Sequence, residues 1–188
     1  MNYQEILQVD VSGIPQGFVK WQNAVIFHAK GMVAWSIGED GLVIHGGTNR
    51  ITGKQSVITT APIIAVRGDK QKSAKYKTPT LNNKTLFRRD RHLCAYCGHL
   101  FAYEQLSRDH VIPQRQKGPD TWMNTVTACK PCNHRKADRT PEGAGMSLLY
   151  LPYVPSRIEE MILKNRHILQ CQMDFLMNHI PPNSRLWS

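Results

Sequence analysis

Two cysteine pairs with identical spacing constrain this chain more than any other feature. Cys94 and Cys97 form one Cys-x-x-Cys pair, and Cys129 and Cys132 form the other. Together the pairs can supply four thiolates to one tetrahedral zinc ion, which would tie the ends of the intervening segment into a compact domain. Four sulfur ligands leave no open coordination position, so such a zinc would be structural and catalysis would need a second metal. The alternative, two redox motifs, is disfavoured because neither pair lies in a βαβ pattern.

The rest of the composition indicates a protein of a reducing compartment. The fifth cysteine, Cys171, lies among apolar residues in a helical pattern and is expected to be a buried free thiol. The N-terminus lacks the pattern of a signal peptide, and no run of 18 apolar residues is present. We therefore expect a cytoplasmic protein without a membrane partner, in which paired cysteines bind metal more often than they form disulfides.

Positive charge is concentrated in one part of the sequence. The 188 residues carry a formal net charge of +10, and residues 67–91 contain nine basic and two acidic side chains. Such a block favours a polyanionic partner such as nucleic acid. The alternative is a solvated, lysine-rich linker.

The order of the sequence patterns predicts an α+β protein with four parts. These are a small mixed α/β unit (1–66), a basic linker (67–81), a zinc-stapled domain (82–145) and a C-terminal helical segment (146–188).

Several local elements are predicted within these parts. Residues 6–9 and 57–66 are expected to be strands, and residues 19–30 a helix that ends at Gly31. Turns are expected at residues 15–17 and 46–47. A capping box, Ser156-x-x-Glu159, predicts the start of one long helix that continues to Pro181.

The segment between the cysteine pairs contains residues suited to metal-assisted hydrolysis. Asp109 and His110 lie near the end of a predicted strand, 106–112, in which neighbouring side chains point to opposite faces. Both reach one ion and its water only if the strand ends or bends there, and Pro113 favours this. Asn133 begins a predicted short helix. Carboxylate and amide oxygens suit Mg²⁺ or Mn²⁺, which leaves His110 available as a general base.

Residues 91–142 resemble an HNH endonuclease of the ββα-metal (His-Me finger) class, in the subgroup with two zinc-binding cysteine pairs. The order and the spacing of the motifs match together. The motifs are Cys94-Ala95-Tyr96-Cys97-Gly98, Asp109-His110-Val111-Ile112-Pro113, Trp122-Met123-Asn124, Ala128-Cys129-Lys130-Pro131-Cys132-Asn133-His134-Arg135-Lys136 and Asp138-Arg139-Thr140-Pro141-Glu142. Residues 1–90 resemble the N-terminal part of similar bacterial and phage proteins more loosely.

The resemblance implies a role for each matching residue. Asp109 and Asn133 would be the ligands of a catalytic Mg²⁺ or Mn²⁺, and His110 would take a proton from the attacking water. Asn124 would brace the loop and orient His110. His134 is a competing ligand candidate, but on a helix it points about 100° away from its neighbour Asn133.

Basic residues around this segment are expected to contact nucleic-acid phosphates, although each is also explained as a surface charge. Similar proteins usually carry a serine and two glycines in the loop after the histidine, whereas this chain has Gln114-Arg115-Gln116-Lys117-Gly118. We interpret the two basic side chains of this loop as additional phosphate contacts. The complete set of predicted nucleic-acid-binding residues is Arg88, Arg91, Arg108, Arg115, Lys117, Arg135 and Lys136.

The sequence thus predicts a metal-dependent endonuclease. We expect hydrolysis of DNA, most simply double-stranded, to 5′-phosphate and 3′-hydroxyl ends, by a monomer or a homodimer. Two alternatives remain open from the sequence. One is a non-catalytic, zinc-stabilised nucleic-acid-binding module, and the other is a nuclease with the same site that acts on RNA.

Overall fold

The computed structural model describes residues 5–39, 41–68, 78–165, 167–182 and 184–187. It divides the chain into two compact units. The first unit lies within Met1–Lys77 and Asn165–Pro182, and the second within Thr78–Lys164 and Asn183–Ser188. Both contain helices and strands, so the predicted α+β class is confirmed. Among the helices in these described ranges, none is long and apolar enough to cross a membrane.

The first unit is built on a four-stranded sheet with the strand order β2-β1-β6-β3. The central strands β1 and β6 are parallel, and their residues are buried. Helix α1 packs its Ala24 against Ile6, Ile64 and Val66 of these strands. The elements of this sheet and its helix are β1 (Ile6–Val9), β2 (Pro15–Val19), α1 (Trp21–Ala29), β3 (Val33–Ile37) and β6 (Ile63–Val66).

A separate antiparallel hairpin, β4 (Leu42–Thr48) with β5 (Gln55–Thr60), completes the strands of this unit. Its turn follows Asn49, whose side chain accepts hydrogen bonds from the backbone N–H groups of Ile51 and Thr52. The turn predicted at residues 46–47 is therefore wrong, because both glycines lie within β4.

Four further predictions for this unit are confirmed or corrected by the observed boundaries of its helix and strands. The strand at residues 6–9 and the helix before Gly31 are confirmed. The turn predicted at residues 15–17 is wrong, since these residues begin β2. The single strand predicted over residues 57–66 is two strands, β5 and β6. Pro62 lies between them, and it has no N–H group to donate to a strand ladder.

The second unit is a β-hairpin followed directly by a helix, with two further helices packed nearby. Strands β7 and β8 pair antiparallel, with Asp109 opposite Val126 and His110 opposite Thr125. A buried cluster of Leu86, Phe87, Leu106 and Trp122 joins α2 to this hairpin. The elements are α2 (Asn83–Arg89), β7 (Leu106–His110), β8 (Thr125–Cys129), α3 (Lys130–Lys136) and α4 (Arg157–Lys164).

A buried ion pair, Arg89 with Asp90, lies at the centre of the second unit. The side chains are 1% and 0% exposed, and the Arg89 Nε to Asp90 Oδ1 distance is 2.9 Å. Arg89 also donates to the backbone carbonyls of Trp122, Thr125 and Tyr153. Because this guanidinium joins three segments of the chain, it is a structural residue and not a cation available to nucleic acid.

Replacement of Arg89 by methionine is expected to destabilise the protein by about 3–5 kcal/mol, since it leaves the Asp90 carboxylate buried without its main partner. Urea unfolding followed by circular dichroism measures this change. The control is Lys84→Met in the same helix, where the side chain is exposed. Equal stability of the two variants would contradict the central role of the ion pair.

The C-terminal segment contains two helices, α4 and α5 (Gln170–Met177), so the prediction of one long helix is wrong. The capping box at its start is confirmed: Ser156 Oγ accepts from Glu159 N, and Glu159 Oε2 accepts from Ser156 N. The helix ends because the Asn165 side chain accepts a hydrogen bond from the backbone N–H of His167 at 3.1 Å. Such a local bond competes with continuation of the helix.

Candidate active site

The four paired cysteines lie together in the second unit. Their Sγ atoms are all within 4.8 Å of one another. Tetrahedral zinc with Zn–S bonds of about 2.3 Å requires sulfurs about 3.8 Å apart, so the cluster is close to the size of a zinc site. Cys94 and Cys97 lie in a turn closed by a hydrogen bond from Gly98 N to Cys94 O. Cys129 ends β8, and Cys132 lies in the first turn of α3.

The environment of these thiols is that of a cation site. Burial opposes ionisation of Cys94, but hydrogen bonds from the backbone outweigh it and lower the pKa of this thiol. Burial raises the pKa of Cys129 and of Cys132. Several thiolates can therefore coexist here only when a positive ion compensates their charge. The donor set fits structural zinc, which would join the hairpin to α3.

A cavity of about 350 Å³ lies beside the hairpin and α3. Its lining includes Asp109, His110 and Asn133, three residues that the sequence placed in one site. The strand β7 ends at His110, and the backbone N–H of the next residue, Val111, binds Asn124 O. The strand thus ends at the position that the sequence analysis required if Asp109 and His110 are to reach one ion. Both residues line the cavity. The remaining lining residues are Arg108, Pro113, Gln114, Arg115, Lys136, Ala137 and Asp138.

Asp109 is held by two buried partners. Its carboxylate is 5% exposed, and Oδ1 accepts a hydrogen bond from Lys136 Nζ at 2.9 Å. Oδ2 accepts from the Tyr96 hydroxyl, which lies between the first pair of cysteines. Burial and the Asp109 carboxylate raise the pKa of Tyr96, so this tyrosine stays protonated and remains a donor. The two partners fix the carboxylate while each oxygen keeps a lone pair.

The amide oxygen of Asn133 is available to ligate a cation. Its Nδ2 donates to Ser107 Oγ at 2.9 Å and to Arg108 O at 3.2 Å, which ties the side chain to β7. Within the described residues, Oδ1 accepts no hydrogen bond from the protein. The competing ligand His134 is exposed and does not line the cavity. The geometry therefore favours Asn133 over His134 as a ligand.

His110 has a carboxylate partner that the sequence did not indicate. Its Nε2 atom lies 2.9 Å from Oδ1 of Asp120, and Arg108 NH1 lies 2.8 Å from both oxygens of the same carboxylate. Hydrogen bonds from Arg108 and, to a smaller extent, from His110 lower the pKa of Asp120, so it is ionised at neutral pH. The result is an Arg–Asp–His chain at the end of β7.

Asn124 closes the loop that follows His110. Its Oδ1 accepts from Ile112 N, and its Nδ2 donates to the carbonyls of Ile112 and Pro119. Among the described residues, the Asn124 side chain makes no hydrogen bond to the His110 side chain. Asn124 can therefore act on His110 only through the loop.

Gly118 makes this loop possible. A Cβ atom at this position would lie 1.8 Å from the Ile112 carbonyl oxygen, which is the oxygen that Asn124 binds. Lys117, the preceding residue, has φ +63°, a conformation that favours glycine. A lysine thus adopts a left-handed backbone conformation directly before Gly118.

The variant Gly118→Ala is expected to lower stability by about 1–3 kcal/mol, because the loop must move to admit the methyl group. Thermal unfolding measures the loss. Gly17→Ala is the matched control, since a Cβ at Gly17 meets no atom within 4 Å. An unchanged melting temperature for Gly118→Ala would show that the loop does not pack as described.

Among the basic residues predicted to contact phosphates, some side chains are exposed to solvent and others bind groups of the protein. Arg115 is 81% exposed and pairs with Asp138 at 3.1 Å. Lys117 and Arg135 are exposed. Arg91 donates to the Arg185 carbonyl, and Arg88 is half-buried. Lysines 70, 72, 75 and 77 of the basic block lie outside the described residues.

Two of these predictions need correction. Lys136 is 1% exposed, and its ammonium binds Asp109 and the carbonyl of His110, so it is not a surface cation. Arg108 is engaged with Asp120 and, through Nε, with Asn83 at 3.1 Å. Both cations serve the arrangement of the site itself. Each was misjudged because sequence spacing does not reveal which charges the fold brings together.

The fold and the site define this part of the chain as a zinc-stapled ββα domain with a cavity lined by oxygen donors and a histidine. The model of the HNH endonuclease family matches residues 94–149. This stretch contains all four cysteines of the cluster together with Asp109, His110, Asn124 and Asn133. The resemblance inferred from the sequence is thus confirmed for residues 94–149. Among curated proteins, none matches the chain significantly.

Proposed function

We propose that this protein is a divalent-cation-dependent endonuclease that hydrolyses DNA phosphodiester bonds to 5′-phosphate and 3′-hydroxyl ends. The observation that supports this most strongly is the shared cavity of Asp109, His110 and Asn133. It combines two oxygen ligands with an imidazole that can accept a proton. Metal-assisted hydrolysis of a phosphodiester needs these two kinds of group together.

Asp109 and Asn133 would hold the catalytic cation. A carboxylate oxygen and an amide oxygen are hard donors, which Mg²⁺ and Mn²⁺ prefer, and the cavity has room for water and a phosphate group. The amide orientation supports this assignment, because Asn133 Nδ2 is bound to β7 and its oxygen is not. A cation bound there supplies positive charge to the scissile phosphate and to the leaving oxygen.

The protein residues carry out the proton transfer and the alignment. His110 takes the proton from the attacking water. Asn124 holds the loop after His110, and Lys136 fixes the Asp109 carboxylate. Each of these contacts is present before substrate binds, so little reorganisation is needed during the reaction.

Exposed basic side chains near the cavity support a nucleic-acid substrate. Arg115 lines the cavity, and Lys117 and Arg135 are exposed on the adjacent loop and helix. Such groups bind phosphates without reading sequence, so binding should weaken steeply as salt rises from about 50 to 200 mM.

Incubation with supercoiled plasmid in Mg²⁺, Mn²⁺ or EDTA tests the proposal. We expect nicked or linear products with either cation and none with EDTA. A parallel digest of RNA of matched length determines whether DNA is the preferred substrate. Absence of cation-dependent cleavage of either nucleic acid would contradict the proposed activity.

One observation favours a second candidate, a non-catalytic nucleic-acid-binding module. The Lys136 ammonium already neutralises the Asp109 carboxylate, which reduces the attraction of this site for a cation. If this charge keeps the cation out, calorimetry should detect no Mn²⁺ binding in the wild type, while DNA binding remains. We favour the endonuclease because each Asp109 oxygen keeps a lone pair and the Asn133 oxygen is free.

A further inference from the structure

The Asp120 carboxylate has no role in the hydrolysis described so far, although it contacts the proposed general base. Asp120 lies between the loop glycine Gly118 and the loop-closing Asn124. Its Oδ1 is 2.9 Å from His110 Nε2. An imidazole ring has two nitrogens, and in the neutral ring one is a donor while the other is an acceptor. The partner of one nitrogen therefore decides what the other can do.

The carboxylate is ionised and so can only accept a hydrogen bond. Arg108 donates to both of its oxygens at 2.8 Å, which holds the carboxylate charged and in one orientation. The bond between Asp120 and His110 is consequently donated by Nε2–H of the ring. The proton of the neutral imidazole is then on Nε2, and Nδ1 carries the free lone pair. No described residue donates a hydrogen bond to Nδ1.

We propose that Asp120 is the positioning residue of His110, and that it makes Nδ1 the atom that accepts the proton from the attacking water. This inference rests on the proposed endonuclease function. In the step itself, an O–H bond of water breaks, its proton forms a new N–H bond at Nδ1, and the water oxygen forms a bond to phosphorus. The bond from phosphorus to the 3′ oxygen breaks, and this oxygen leaves with the bonding electron pair and takes a proton from solvent water. His110 becomes an imidazolium, and the Asp120 carboxylate stabilises this positive charge while remaining ionised.

Arg108 completes this arrangement from the other side. Its Nε donates to Asn83 Oδ1 at 3.1 Å, so the guanidinium is held between the first residue of α2 and the Asp120 carboxylate. Arg108 and His110 are both on β7, two residues apart, and hence lie on the same face of the strand. Asp120 bridges them from the loop. An ordinary surface ion pair does not require an arginine and a histidine of one strand to meet at the same carboxylate. We therefore assign a function to the Asp120 carboxylate, although its side chain is 48% exposed.

Kinetics of three variants test the assignment in the full-length, zinc-loaded protein. Asp120→Ala should lower kcat about 10–100-fold with KM nearly unchanged, as expected for loss of a residue that orients a catalytic group. Asp120→Asn retains an acceptor oxygen for Nε2–H, so its loss should be smaller than that of the alanine variant. The matched control is Glu104→Ala, an exposed acidic residue just before β7, which should cleave like the wild type.

A spectroscopic measurement that does not depend on turnover distinguishes loss of the Asp120–His110 hydrogen bond from loss of folding. In ¹⁵N-histidine-labelled wild type, the His110 Nε2–H proton should give a downfield signal that exchanges slowly with water. The signal is assigned by its absence in His110→Gln. It should persist in Asp120→Asn and disappear in Asp120→Ala, while zinc content and circular dichroism stay unchanged.

The outcomes distinguish this inference from the proposed function. If the wild type and Asp120→Ala cleave at the same rate, the role of Asp120 is refuted and the endonuclease stands. If the wild type shows no cation-dependent cleavage, the endonuclease fails and the role of Asp120 fails with it. A His110 Nε2–H signal unaffected by Asp120→Ala would also refute the pairing.

Discussion

Replacement of His110 by alanine is expected to lower the rate of plasmid cleavage by about 10²–10⁴-fold, the usual contribution of a general base. His110 carries the imidazole among the described residues that line the cavity, whereas the two carboxylates there, Asp109 and Asp138, are each paired with a basic side chain. Initial rates of nicking in Mg²⁺ and Mn²⁺ measure the loss.

Binding and folding should survive this change. The His110 side chain is only partly buried and its ring adds no bond to the hairpin ladder, so DNA affinity and the melting temperature should stay close to those of the wild type. His45→Ala, an exposed histidine of β4, serves as the control and should cleave normally. Full cleavage by His110→Ala would eliminate His110 as the base, and equal loss in both variants would indicate a nonspecific effect.

Replacement of Cys129 by serine is expected to abolish zinc binding and to unfold most of the second unit. Structural zinc sites contribute on the order of 10–16 kcal/mol of apparent binding free energy, which is more than the net stability of a typical domain. Cys129 is the last residue of β8 and directly precedes α3, so loss of its sulfur releases the connection on which the cavity depends.

Elemental analysis should find one zinc per wild-type chain and none in Cys129→Ser. Circular dichroism and urea unfolding should show lost structure and stability. Cys171→Ser is the control, because this thiol lies outside the four-cysteine cluster. A Cys129→Ser variant with native spectra, or a wild type that folds fully without metal, would contradict a structural zinc site.

The candidate active site was the most predictable part of the molecule. Asp109, His110 and Asn133 were grouped from the sequence alone, and the three residues line one cavity. Local rules suffice here, because two cysteine pairs fix the ends of the segment and β7 ends at His110, shortly before Pro113. Their catalytic and metal-binding roles remain proposals.

Local sequence patterns predicted some of the other elements correctly and others wrongly. The strand at residues 6–9 and the capping box at Ser156 were predicted correctly, since each depends on residues a few positions apart. The turn at residues 15–17 was predicted from proline and glycine, but pairing of this segment with β1 overrides that preference. The long C-terminal helix failed because one side chain, Asn165, favours a turn over a further helical bond.

By itself, the sequence determined the four-cysteine cluster, the order of the ββα elements and the set of residues that we propose to hold a cation and move a proton. Those properties follow from side-chain chemistry at fixed spacing. Only the tertiary structure decided which charges meet. It buried Lys136 against Asp109, placed Asp120 between Arg108 and His110, and turned Arg89 into a structural residue. Pairings of this kind depend on distances between segments far apart in the chain, and a charge has no preferred partner until the fold brings one within reach.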